Sequence, residues 1–224
     1  MTHDNPNNLP SKDDETSNLL DAVKGDTGFE KLLKFKQGEY FCDGEEVPLG
    51  TKLVAHCIGL NRAWVHFADG TVVERKLYRA ARNEIPPERY ELPDTDRSKW
   101  PIGINKQPAD PWVYQYLLPM EDPATGDVRI FVGSSFGGRR AVADLCAAYS
   151  RRAKKTPGGG QPIITLQMVM MPTKNFGDKP RPHFEIVGWD DGTGGSDDGG
   201  TPREIREVSA EVLKKQEFDD DIPF

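Results

Sequence analysis

From residue 31 to residue 190 apolar side chains recur at every second position in one short run after another, and only once, over residues 138–155, at the spacing of a helix. A period of two belongs to a pleated strand with one buried face, so the pattern confines the chain to a mainly β fold with a single late helix. The runs are 33–41, ending before Asp43-Gly44; 52–60 and 62–68, parted by a tight turn at 59–61; 71–77, reached through Asp69-Gly70; 112–120 and 128–133, joined by a turn at 122–127; and, after the helix, 162–171 and 182–189. Asp69-Gly70 between two alternating runs predicts a hairpin, because both residues tolerate the positive φ that a two-residue turn demands. The helix rests on Val142, Leu145, Cys146 and Tyr149 along one stripe. Arg151, Arg152, Lys154 and Lys155 crowd its end, where cations meet the negative pole of the helix dipole. Strands, a helix and two closing strands is the order of a five-stranded Greek-key barrel of the OB type, and this is the expected fold. A sandwich or an SH3-like barrel shares the short strands and stays open as an alternative.

Not all of the chain can pack. Hydrophobic residues are only 36% of 224, too few for a core along its whole length, so the polar ends are expected to remain unfolded. Residues 1–30, rich in Asn, Asp, Pro and Ser, are expected to form a disordered acidic arm. Residues 190–202 read DDGTGGSDDGGTP, a linker with nothing to bury, which ends the predicted domain 31–190 and opens a tail, 191–224. Within the domain, the proline-rich stretch 84–110 is predicted as a long irregular insertion over the surface. The net charge of −7 conceals a division along the same boundaries: residues 31–190 carry 23 basic and 19 acidic side chains, a surplus of +4 between arms of −5 and −6. A basic body with acidic extensions points toward nucleic acid.

Several classes of function find no support in the residues. No run approaches the roughly 18 apolar residues of a membrane span, and the first residues are polar and acidic, so a soluble, cytoplasmic protein without a membrane partner is expected. Three widely spaced cysteines, Cys42, Cys57 and Cys146, suit a reducing compartment and read as small core residues. His56, Cys57, His66 and His183 lack the paired spacing of zinc ligands, and the glycines at 133–138 lack the Gly-Lys-Ser/Thr ending of a phosphate-cradling loop. Neither catalytic residues nor a cofactor are therefore expected.

Binding an unpaired strand without regard to sequence needs cations along the phosphates and aromatic faces under the bases. The body has both. Residues 62–67 place Arg62, Trp64 and His66 on one strand face, and Trp112, Tyr114 and Tyr116 alternate on another run, with Phe131 on the next. Aromatics at period two form either an exposed ladder or a core stripe, and the stripe is the commoner outcome. Arg62, Trp64, Trp112 and Tyr116 are nominated for DNA on this pattern. Phe136, Arg139 and Arg140 flank Gly137-Gly138 at the helix N-terminus, where free N–H groups favour an anion, although an ordinary turn explains the glycines equally well. Lys174, Phe176, Lys179 and Arg181 belong to the predicted loop and turn region between the last two strands, and Trp100 follows Lys99 in the insertion; all are further candidates.

The chain ends Glu217-Phe218-Asp219-Asp220-Asp221-Ile222-Pro223-Phe224. Phe224 supplies an apolar anchor and a free carboxylate that only a chain end has, Pro223 stiffens the approach, and Asp219, Asp220 and Asp221 steer toward basic surfaces. An acidic tail that is merely solvated has no use for two large apolar residues at its tip, Ile222 and Phe224. Residues 218–224 resemble the acidic tip of bacterial single-stranded-DNA-binding proteins, in which aspartates precede a terminal Ile-Pro-Phe. The resemblance implies a peptide that docks on replication, recombination and repair enzymes, with Phe224 in an apolar pocket and its carboxylate on a basic residue. The expected function is a phage or bacterial protein that coats single-stranded DNA and recruits such enzymes. Two rivals are an adaptor or decoy that uses the tip without binding DNA, and a strand-annealing recombination protein. The oligomeric state is left open, a homo-oligomer included.

Overall fold

A computed structural model describes residues 31–103, 106–173 and 177–191. The predicted acidic arm 1–30 and, from residue 192, the linker and docking tail with Asp219 to Phe224 lie outside the described residues, as do Lys174 and Phe176. All of the described residues belong to a single unit of the chain. They fold as a ten-stranded sheet with one α-helix, so the mainly β reading holds while the expected five strands become ten.

Part of the surplus comes from turns inside what reads as one run. Residues 33–41 divide into β1 (Lys31–Lys36) and β2 (Glu39–Cys42), because Gln37 and Gly38 take φ of 52° and 101° and fold the chain back on itself. Asp43 and Gly44, at φ of 51° and 89°, do the same before β3 (Glu45–Val47). The runs 52–60 and 62–68 become β4 (Lys52–Ala55) and β5 (Asn61–Ala68), parted by a 3-10 turn at Cys57–Gly59 beside the expected turn. Asp69-Gly70 makes the predicted hairpin to β6 (Thr71–Arg79). β7 (Trp112–Glu121) and β8 (Val128–Gly133) form the second predicted pair. β9 (Gln161–Thr173) and β10 (Gly177–Asp190) run longer than expected, which moves Lys179 and Arg181 from a turn onto a strand.

The strand order is β10-β9-β4-β7-β8-β1-β2-β3, with β5 and β6 branching from β7. β4 and β5 lie end to end along one edge of β7: Val54 and Ala55 face Glu121 and Met120, while Asn61 and His66 face Leu117 and Trp112. Past the 3-10 turn the chain also changes its outer neighbour, from β9 to β6. Every one of these pairs is antiparallel except β1 with β8. The β1–β2 hairpin then meets the opposite end of the sheet. Gly38 packs close to Pro180 of β10, and the buried Tyr40 hydroxyl donates to the Gln167 carbonyl of β9 at 2.8 Å. Burial raises the Tyr40 pKa well above the usual tyrosine value, as expected for a phenol that serves as a fixed donor. The sheet is thus curled around a core of Leu33, Tyr40, Leu53, Leu118, Met120, Phe131, Ile164, Leu166 and Phe184. A smaller cluster on the other face joins Leu32, Ala63, Val65, Phe67, Leu117, Ile130 and Val132.

The helix, α1 (Phe136–Lys155), presses Ala141, Val142 and Leu145 into the main core. Ser135 caps it, its Oγ accepting from the Gly138 N–H at 3.0 Å. A Cβ on Gly137 would stand 2.8 Å from Arg181 Cβ, and one on Gly138 would stand 3.1 Å from Gly133 Cα. The two glycines therefore let the first turn rest on β10 and β8. The predicted cation cluster at the far end is partly used: the Arg152 guanidinium lies 4.4 Å from the centre of the Trp189 ring. Among the described residues no helix is long and apolar enough to cross a membrane, and no three His, Cys, Asp or Glu side chains gather as a metal site would require.

Candidate nucleic-acid interface

Even-numbered residues of β7 share one face of the sheet. Met120 and Leu118 lie in the core, and the row continues outward through Tyr116 and Tyr114 to Trp112. β5 lays Arg62, Trp64 and His66 directly across from Tyr116, Tyr114 and Trp112, and β6 adds Tyr78, Lys76 and Glu74 beyond them. The ring centroids are 5.0 Å apart for Trp64 and Tyr114, 5.7 Å for Tyr114 and Tyr116, and 4.8 Å for the stacked His66 and Trp112. Arg139 reaches in from the first turn of α1, its guanidinium donating to the Tyr114 carbonyl at 3.3 Å and to that of Ser134. Burial pushes the Tyr114 phenol up to about 12 and draws the Arg139 guanidinium downward. Four nominated residues, Arg62, Trp64, Tyr116 and Arg139, are thereby brought together around a fifth, Tyr114.

Over this face runs the insertion, here called the strap. The Arg62 guanidinium donates to the Glu84 carbonyl, Trp64 Nε1 donates to the Pro87 carbonyl at 2.9 Å, and His66 Nε2 lies 3.4 Å from Asp94 Oδ2. The strap braces itself as well. Arg89 donates to both carboxylate oxygens of Asp110 at 2.7 and 2.8 Å and to the carbonyls of Pro93 and Asp94. Trp100 donates to the Asp94 carbonyl at 2.7 Å, with the guanidinium groups of Arg89 and Arg97 5.8 and 5.9 Å from its ring centre. The cover is imperfect. Arg62 Nε and Trp112 Nε1 are buried without a hydrogen-bond partner among the described residues, at a cost of about 1–3 kcal/mol each.

The remaining nominees divide. Trp112 is only 3% exposed, stacked on His66 with Lys76 Nζ 5.0 Å from its ring centre, so in this arrangement neither ring face is open to a base. Arg140 and Arg181 share one carboxylate, Asp144, at 3.0 and 3.7 Å. Phe136 is 64% exposed at the start of α1, and Lys179 is exposed on β10. Tyr114, flanked by the nominated pair on its own strand, was the missed member of the site; its alternation with Trp112 and Tyr116 was the available signal. No side-chain pattern announced the strap contacts, since two of the three use backbone carbonyls. Compared with known proteins, the chain matches no family model, no curated protein and no solved structure.

Proposed function

We propose that this protein binds single-stranded DNA on the β5–β7 face and recruits replication, recombination and repair enzymes through its C-terminal tip. The observation that carries the reading is the ladder of Trp64, Tyr114 and Tyr116 with Arg62 and Arg139 beside it. Stacking surfaces next to guanidinium groups are what an unpaired strand needs, and the binding tolerates any base because every base has a π face. The DDDIPF terminus supplies the second half, through its likeness to the tips of single-stranded-DNA-binding proteins. The topology supports a finer fold reading. Taking β4 and β5 as one bent strand, the order β4/β5, β7, β8, α1, β9, β10 with its four antiparallel pairings follows an OB barrel. The β1–β2 hairpin then stands in the gap where the third and fifth strands of such a barrel would meet. The β5–β6 hairpin and the strap enlarge its first connection, a loop that such barrels use for oligonucleotides.

Fluorescence titration with oligothymidine tests the proposal. Wild-type protein should bind at low salt, and Trp64→Ala should weaken binding about tenfold or more, the loss of roughly one stacked base. Arg62→Ala should lower the slope of log affinity against log salt by about one. Equal binding by all three proteins would refute the site. One observation favours the adaptor reading, namely that the strap already covers part of the ladder; a body that ignores oligothymidine in dilute buffer would establish it.

A further inference from the structure

The strap meets the ladder in an unusual way for a segment meant to stay. Its ties to Arg62, Trp64 and His66 are polar, and to these three it offers only acceptors: the carbonyls of Glu84 and Pro87 and the carboxylate of Asp94. These are the groups with which a phosphodiester or a base edge would meet the same donors. Among its described residues the strap carries one buried apolar side chain, Leu92, 4% exposed, while Ile85 is 84% and Tyr90 76% exposed. Beside the Glu84 carbonyl, Arg62 Nε goes unused. Within the strap the 3-10 turn Arg89–Glu91 closes a reciprocal cap between Glu88 and Glu91, and Arg89 clasps Asp110, two residues before β7.

We propose that residues 84–94 are a resident stand-in for nucleic acid, displaced as a body when a single strand takes the donors of Arg62, Trp64 and His66. The inference rests on the single-strand reading above and adds its regulation: affinity is set by competition with a tethered acceptor, and the ladder is presented only when a strand is there to claim it. The strap holds its place through effective concentration, and DNA exchanges for it without loss of hydrogen bonds.

The experiment uses the full chain, oligothymidine and trypsin. Lifting residues 84–94 frees the bond after Arg89, so saturating oligothymidine should speed cleavage there several-fold. Asp94→Asn, which removes the partner of His66, should tighten oligothymidine binding about threefold. Asp96→Asn, an equal charge change without a tie to the sheet, should have a smaller effect. If oligothymidine binds and Trp64→Ala weakens it, yet strap cleavage is unchanged or slowed and Asp94→Asn binds no tighter than Asp96→Asn, the displacement is wrong and the DNA site stands. If neither wild type nor Asp94→Asn binds in dilute buffer, the DNA reading falls and takes the displacement with it.

Discussion

Tyr114 stands between Trp64 and Tyr116, and burial keeps its phenol protonated to about pH 12. An unfolded tyrosine ionises near pH 10, so the folded state holds this proton more tightly. The resulting stability is complete below about pH 10 and is lost as pH rises toward 12. Tyr114→Phe should therefore lose less stability than wild type between pH 9 and pH 11 in urea unfolding; an equal loss would show that another group governs the alkaline limb. The same residue shows what period two reveals. Alternation placed Trp112, Tyr114 and Tyr116 on one face, correctly, and that face proves to be core at its inner end and ladder farther out. It could not foretell that Trp112 would be sealed, because the seal comes from His66 and Lys76 on neighbouring strands.

At the scale of elements, α1 shows a contest between propensity and contact. Alanine is favoured over glycine inside a helix by about 1 kcal/mol, so Gly137→Ala would stabilise a solvent-exposed turn. Here the new methyl would sit 2.8 Å from Arg181 Cβ on β10. The variant should be destabilised and melt lower than wild type; a higher midpoint would mean that β10 yields at no cost. The element boundaries that the residues disclosed are those with a chemical marker: Asp69-Gly70 for the β5–β6 hairpin, and the 3.6-residue stripe for α1. Gln37-Gly38 carries a weak marker because glutamine seldom takes a positive φ, whereas the turn expected at 59–61 is present, two residues earlier, as the 3-10 turn Cys57–Gly59. The last hairpin was misjudged at its tip, where Lys179, Pro180 and Arg181 look like a loop but pair with Met171, Met170 and Val169. Long pairing of two adjacent strands overrides local dislike of the strand state.

For the whole molecule, the charge division sets the terms of association. A body of +4 is joined to a tail of −6 and preceded by an arm of −5, so any attraction between body and tail competes with phosphate. Replacing Asp219, Asp220 and Asp221 by asparagine should raise oligothymidine affinity at low salt, and the advantage should fade as screening shortens the reach of these charges. An advantage undiminished in high salt would mean that the aspartates act by something other than charge. The count of strands is beyond the reach of composition or periodicity, since a turn such as Gln37-Gly38 divides one alternating run into two strands. What draws the β1–β2 hairpin against β9 is Tyr40 reaching Gln167, 127 residues away, and long-range contacts of that kind leave no local trace.

β7 runs through the middle of all this, bonded on one side to β4 and β5 and on the other to β8, with Leu117, Leu118 and Met120 wholly enclosed. From Tyr116 to Glu121, where a strand lies on either side, its peptide groups have no edge from which to fray. In heavy water they should be the last of the chain to trade protium for deuterium, and their rate would report the opening of the entire fold.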